Sequence, residues 1–324
     1  MRLAAAAAFV LLAAPLAGAE EGPAWAKADL RAGIIGCDTS HVIAFTKILH
    51  AHPAWRVRVA AAFPGGSPDI ASSRSRVDGY VKQLRETSGV EIVETIPELL
   101  GKVDVVLLES VDGRPHLEQA RPVLQAKKPV FIDKPFAASL ADAREIVRIA
   151  KETGTPFFSC SCVRFQPEIA ALRTDAGVGK VTKAQGSSPF STEPHHPDLF
   201  WYGIHGVEAL YTVLGPGCVA VSRKAEGDLD ITTGRWKDGR VGVFRGVMKG
   251  DYKPIVKVWG ETGEVETPKG FDYNGLVQVM AEFFQTGRAP IDPEETLEVV
   301  AFMTAAQLSK ERGGAEVTLE EAWR

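Results

Sequence analysis

The first half of this chain repeats one pattern: a short apolar run that stops at a glycine or a polar cluster, then a stretch with helical spacing. Leu30 to Gly36 (LRAGIIG), Val103 to Leu108 (VDVVLL), Pro129 to Ile132 and Pro156 to Cys160 are the apolar runs. Trp55 to Phe63 (WRVRVAAAF) alternates instead and stops at Pro64-Gly65-Gly66. Between these runs, Val42 to His50, His116 to Ala126 and Leu140 to Thr153 carry apolar residues at helical intervals. Buried strands alternating with amphipathic helices predict a parallel sheet with helices on both faces. In such a sheet ligands bind beyond the carboxyl ends of the strands. That rule collects Cys37 to His41, Glu109 to His116, Asp133-Lys134 and Cys162 to Phe165 on one rim.

From about residue 163 the pattern changes. Val181 to Ser188, Val219 to Ala225, Asp230 to Trp236, Arg240 to Met248 and Ile255 to Gly260 read as successive alternating strands, with turn signals such as Lys237-Asp238-Gly239 between them. An antiparallel sheet is expected, with helices over Gly206 to Leu214, Leu276 to Thr286 and Pro293 to Glu311 packed on it. The expected fold class is therefore α/β. A parallel-sheet domain spans 30–162, and an α+β domain with a largely antiparallel sheet spans 163–324. An exposed face on the second sheet would suggest pairing into a homo-oligomer.

Residues 1–19 stand apart. Met1-Arg2 is followed by an Ala-rich apolar stretch from Leu3 to Leu16, short for a membrane span, and then by Ala17-Gly18-Ala19. This is the pattern of a secretory signal peptide cleaved before Glu20, with residues 20–29 as a linker. The expected location is outside the cytoplasm, periplasmic or secreted. No twin-arginine pair is present, so export as an unfolded chain is expected. Hydrophobic residues at 45%, charged residues at 24% and a net charge of −4 fit a soluble globular protein. There is no basic tract for nucleic acid, and no later segment long and apolar enough for a membrane. Cys37, Cys160, Cys162 and Cys218 are too few for a disulfide scaffold, although export would permit any of three pairings. Without a C-x-x-C pair, a zinc ribbon has no support.

Three features in this order resemble the Gfo/Idh/MocA oxidoreductases: the strand ending in Asp133-Lys134-Pro135, the Arg164 segment, and Gly203-Ile204-His205 opening a helix. The resemblance runs from about Ala32 to Leu319 and implies a Rossmann-type first domain. It further implies NAD or NADP as cofactor and a sugar, polyol or related carbohydrate as substrate. Carried over by position, Lys134 matches the lysine that contacts substrate and nicotinamide, and His205 the acid/base histidine. A lysine beside a hydroxyl stabilises a developing alkoxide, and a histidine can take the proton. The implied cofactor-binding residues are Gly36, Asp38, Thr39, Ser40, His41, Ser110, His116 and Asp133. Arg164, His195, His196, Trp201 and Tyr202 stand where substrate would be contacted.

The chain departs from the family pattern at the dinucleotide fingerprint. Gly36-Cys37-Asp38-Thr39-Ser40-His41 replaces G-x-G-x-x-G and keeps only the first glycine. A carboxylate at Asp38 would face phosphate charges, at a cost of roughly 4 kcal/mol for two like charges about 4 Å apart at an effective dielectric of about 20. A second reading has Asp38 cap the following helix. The acidic residue that would hold the ribose after the second strand is missing; Arg74 and Arg76 downstream either serve a 2′-phosphate or lie in a solvated loop. Trp201 stands where the family often has an aspartate before its histidine, and it stacks on a sugar or simply packs. Glu109, Asp112 and His116, with His195, His196 and Asp198, are metal-ligating types, but their spacing fits no compact motif, and no metal is assigned. Three function classes follow: an NAD(P)-dependent oxidoreductase, a repurposed lyase or hydrolase on the same fold, and a non-catalytic sugar-binding protein. The first is favoured, because Lys134 and His205 stand where the family's chemistry lies.

N-terminal sequencing of the exported product is expected to begin at Glu20; Met1 retained in a membrane fraction would overturn the signal-peptide reading.

Overall fold

The computed structural model describes residues 22–249, 255–267, 270 and 272–324. The signal peptide expected over residues 1–19 lies outside the described residues. The strands, in chain order, are β1 (Leu30–Ile35), β2 (Val57–Phe63), β3 (Glu91–Ile92), β4 (Val105–Leu108), β5 (Val130–Ile132), β6 (Phe157–Phe158), β7 (Val181–Pro189), β8 (Cys218–Glu226), β9 (Leu229–Trp236), β10 (Val241–Val247), β11 (Ile255–Gly260), β12 (Glu264–Glu266) and β13 (Val317–Thr318). The helices are α1 (His41–Ala51), α2 (Ala71–Arg74), α3 (Val77–Ser88), α4 (Ile96–Lys102), α5 (His116–Gln125), α6 (Leu140–Thr153), α7 (Pro167–Thr174), α8 (Ile204–Leu214), α9 (Asn274–Thr286), α10 (Pro293–Glu311) and α11 (Leu319–Ala322).

The first sheet has the order β3-β2-β1-β4-β5-β6 and every pairing in it is parallel. The order reverses between β1 and β4, which opens the crevice where α/β sheets bind ligands. Alternate residues feed the two faces, as the two-residue period of a strand requires. Ala32, Ile34, Val105, Leu107, Phe131 and Phe158 pack against α1 residues Val42 and Phe45. Ile35, Val106, Leu108, Val130, Ile132 and Phe157 pack against α5 and α6 residues such as Val123 and Ile146. Glycine is needed at position 33, where an added Cβ would lie 2.9 Å from the Val103 side chain.

The second sheet has the order β12-β11-β7-β10-β9-β8-β13. It is largely antiparallel, but its centre is not: β7 and β10 run parallel, because the chain leaves the sheet through α8 before returning. A strict succession of antiparallel neighbours, as the turn signals suggest, therefore holds only from β8 to β10. One face of this sheet packs on α8 and α10.

The two halves share their cores. Helix α9 belongs to the second half of the chain, yet Leu276, Val277, Met280 and Phe283 bury themselves against the first sheet and α1. Phe283 meets Phe158 edge-on with ring centroids 4.9 Å apart. Arg164 bonds Glu208 on α8 and Glu295 on α10, all three buried or nearly so. The segment read as a linker is docked from residue 22 onward. The backbone N–H groups of Lys27 and Ala28 donate to Gln285 Oε1, and Asp29 pairs with Arg56. All four cysteines are buried and free, so none of the three possible disulfide pairings forms. Among the described residues no helix is long and apolar enough to cross a membrane.

Replacing Phe283 by alanine should cost about 3–5 kcal/mol. Because α9 seals the first domain, the loss should appear as one cooperative shift in chemical denaturation; a separate, unshifted transition for either half would contradict the shared core.

Candidate active site

The carboxyl ends of β1, β4 and β5 meet beside the start of α1, and a cavity of about 240 Å³ opens there. It is lined by Thr39, Ser40 and His41 from the β1–α1 turn, Arg76 and Val111, and Lys134 after β5. Ser188, Pro189, Tyr202, His205 and Tyr273 complete it from the second half. Lys134 and His205 therefore face one cavity, although 71 positions separate them in sequence (205 minus 134).

The β1–α1 turn is shaped by Gly36 at φ +90°, where a Cβ would lie 2.3 Å from the Ser110 hydroxyl oxygen. Ser40 opens α1 without a side-chain capping bond, so the first-turn amides present partial positive charge to the cavity. His41 Nδ1 is 2.5 Å from Asp133 Oδ2, and its ring stacks on Phe45 with Tyr273 edge-on. Asp133 also accepts the Lys134 backbone N–H at 2.7 Å. Burial works against the Asp133 charge, but His41 and Lys134 outweigh it and hold the carboxyl below its usual range. The Lys134 ammonium lies 5.8 Å from the Tyr202 ring centroid.

His205 follows a π-helical turn, Leu199–Gly203, a distortion that often marks functional positions. Its Nδ1 lies 2.7 Å from Ser161 Oγ, at the end of the β6 segment. Burial, with the charges of Lys134 and His41, pushes the imidazole down to about 3. The ring is thus neutral through the physiological range. Burial likewise pushes the Tyr273 phenol up to about 12.

Several residues expected at the site support it from beneath. Asp38 is fully buried and turns away from the cavity. Its Oδ1 accepts the Val111 N–H at 2.9 Å and its Oδ2 the Ser73 hydroxyl at 2.6 Å. The helix-cap reading of Asp38 is corrected by these partners, and the phosphate-repulsion argument loses force, because the carboxylate is turned onto two donors outside the cavity. His116 bonds the carbonyls of Ser110 and Phe136 and fixes the β4–α5 loop. Ser110 donates to Gln119. These residues do not line the cavity.

Other expected residues lie elsewhere. Arg164 has its guanidinium committed to Glu208 on α8 and Glu295 on α10, so it ties segments of the second half together and does not line the cavity. His195 is exposed and paired with Glu193. His196 points inward and accepts the Gly113 N–H at 3.3 Å. Trp201 is buried against Ile70 and Val111 and has no ring face open to a sugar. Asp198 pairs with Arg223 and Lys310, which separates it from both histidines. Among the described residues no group of three His, Cys, Asp or Glu side chains is arranged to hold a metal. The solvated reading of Ser72 to Arg76 holds for Arg74, Ser75 and Arg76, which are exposed, but not for Ser73, which is buried; Arg76 also reaches the cavity mouth.

Sequence reasoning missed Tyr273, Ser188 and Ser161. Ser161 had a signal, since it directly follows a strand that ends on the rim. Tyr273 had none, because only the docking of α9 brings it across.

Glu109 is unusual. It is completely buried at the end of β4, and neither carboxyl oxygen has a hydrogen-bond partner among the described residues. Burial, then Asp133 and Asp38, raise its pKa well above 4.5. The folded state therefore holds this proton more tightly than the unfolded chain, and this contribution to stability falls as pH rises above about 4.5. His205 acts at the other end. Its depressed pKa makes stability fall as pH drops below 6.5 toward about 3, by about 1.4 kcal/mol per pH unit. Urea denaturation from pH 4 to about 9 should show both limbs. Glu109→Gln should flatten the alkaline limb alone, and an unchanged profile would mean that the carboxyl is ionised in the fold.

Residues 30–160 match the Gfo/Idh/MocA family described as "Oxidoreductase family, NAD-binding Rossmann fold". The chain is 24% identical over 212 residues to the myo-inositol 2-dehydrogenase of Thermotoga maritima, covering 57% of this chain and 63% of that enzyme. The match thus spans a little under two thirds of the relative. Among solved structures, GenD2 from gentamicin A biosynthesis, in complex with NAD, superposes with a TM-score of 0.73 at 18% identity over 93% of this chain and 99% of that one. The WlbA dehydrogenase of Bordetella pertussis, in complex with NADH and UDP-GlcNAcA, gives 0.72 at 16% identity over 90% and 98%. These two likenesses are likenesses of fold. With the parallel sheet, its switch point and the Asp133-Lys134-Pro135 rim accounted for, residues 30–160 form the NAD-binding Rossmann domain of the Gfo/Idh/MocA oxidoreductase family.

Proposed function

We propose that the protein is an NAD(P)-dependent oxidoreductase acting on a carbohydrate-like polyhydroxy compound. The observation that carries this reading is the cavity at the sheet's switch point, lined by both Lys134 and His205. The cofactor's nicotinamide end fits what is there. The start of α1 offers a favourable dipole to phosphate, and no carboxylate lines the cavity. Thr39, Ser40 and Lys134 would hold this end of the dinucleotide, which when bound would supply the hydride acceptor or donor.

The chain's own work is proton handling and orientation. The Lys134 ammonium donates a hydrogen bond to the substrate hydroxyl and stabilises the oxygen as negative charge develops. Asp133 and His41 fix the lysine's backbone from below. His205 is neutral in the free protein, so it is ready to accept a proton. Burial first, and then the Lys134 charge, keep its basicity low; an alkoxide forming between the two groups offsets the Lys134 contribution. Ser161 holds the ring through Nδ1. Ser188, Tyr202 and Tyr273 offer hydroxyl groups for a polyol. The name of the Thermotoga maritima relative and the bound sugar nucleotide of WlbA support a sugar or cyclitol. Assembly through the open face of the second sheet and export guided by residues 1–19 are part of the same proposal.

Lys134→Ala should lower turnover by at least about 10²-fold while leaving the denaturation midpoint close to wild type, and Lys134→Arg should recover only part of it. Oxidation of polyols would be followed by nicotinamide absorbance. Undiminished turnover in Lys134→Ala would remove the lysine from the mechanism.

A further inference from the structure

The segment from Pro64 to Arg76 joins β2 to α3 and exceeds the roughly 2–6 residues usual for such a connection. It does not stay beside its own strand. Gly65 lies against Gly36, and a Cβ there would be 3.2 Å from the Gly36 Cα. The N–H groups of Gly36 and Cys37 donate to the carbonyls of Phe63 and Pro64. The Ser67 hydroxyl donates to Asp112 at 2.6 Å, and the Ser73 hydroxyl to Asp38 at 2.6 Å. Arg114 grips Asp69 through two bonds of 2.8 and 2.9 Å. Ile70 is completely buried, in a three-residue apolar cluster with Val111 and Trp201.

The segment thus crosses the first strand–helix turn and reaches the β4–α5 loop and the second half of the molecule. In a Rossmann sheet that first turn receives the pyrophosphate, and the end of the second strand receives the adenosine ribose. We propose that Pro64–Arg76 is a strap closed over the dinucleotide groove, and that a bound dinucleotide holds it open. The proposal rests on the oxidoreductase reading. The strap's fastenings suit release. Apart from Ile70 they are polar bonds that water can replace, and the Ile70 cluster is separate from the two main cores. Gly65 and Gly66, at φ +58° and +101°, allow the backbone to turn at the β2 end. Ser73 is the latch, because it ties the strap to the turn that must be exposed.

Trypsin reads the strap directly, since Arg74 and Arg76 are exposed on it and cleavage there requires local opening. Wild-type protein saturated with NAD or NADP should be cleaved after these arginines several-fold faster than free protein, scored by mass spectrometry. Tryptophan emission should shift to the red on binding, and the shift should vanish in Trp201→Phe. By calorimetry, Ser73→Ala should bind dinucleotide about tenfold more tightly, the change that about 1.4 kcal/mol in the open–closed balance produces. Measurable binding with unchanged or slower cleavage overturns the strap. So does tighter binding in Asp38→Gly but not in Ser73→Ala, which would trace the effect to removal of the Asp38 carboxylate. The wild-type protease comparison stands even where a variant fails to fold. If Ser73→Ala is cleaved faster yet neither it nor wild type binds NAD or NADP, the dinucleotide reading fails and the strap function with it.

Discussion

A carboxylate cannot stay charged and unpaired inside a protein, and this chain puts three of them at the ends of adjacent strands. Asp38, Glu109 and Asp133 follow β1, β4 and β5, and all are buried. Each meets the constraint differently. Asp133 draws in a histidine and a lysine. Asp38 takes donors from a backbone amide and a serine. Glu109, without a hydrogen-bond partner among the described residues, has its pKa raised by burial and so favours its neutral form. The rim is arranged to satisfy them. The start of α1 is held through His41, the β4–α5 loop through Val111, and the stretch after β2 through Ser73. Lys134 is placed accurately because its backbone belongs to the same network.

The second half completes this arrangement. His205 takes its orientation from Ser161, three residues beyond the sixth strand of the first sheet. Tyr273 leads into α9 and meets His41. Arg164, buried between Glu208 and Glu295, ties the segment that follows the first sheet to α8 and α10. Loss of the guanidinium would leave two buried carboxylates without a counter-charge, at a cost of about 3–5 kcal/mol. The cavity is therefore a property of the interface, and neither half contains it alone.

The architecture was legible because buried parallel strands and amphipathic helices leave distinct periodicities in sequence. The strands of the first sheet lie close to where the apolar runs predict them, and the rim residues follow from the strand ends. The site itself was only partly legible. Thr39, Ser40, His41, Lys134, Tyr202 and His205 line the cavity. The structure instead gives Arg164 a structural ion pair and leaves His195 in solvent. Side-chain type gave the chemistry these residues can do but not the partner each would find. Asp38 is the clearest case. Its position suggested a clash with phosphate, whereas a serine 35 residues away turns it inward. The parallel pairing of β7 with β10 was hidden for a similar reason, since local turn signals record neighbours in sequence and not the return of the chain after α8.

Helix α9 carries a consequence for how the protein is made. The first sheet is complete once Phe158 has been synthesised, but its α1 face stays uncovered until Leu276, Met280 and Phe283 arrive. An N-terminal half that forms its strands before α9 docks therefore carries a greasy, unsealed surface that includes Phe131 and Phe158. A fragment cut near residue 162 would carry the same exposed surface permanently. The boundary that looks natural on the sheet diagram is a poor place to divide the molecule.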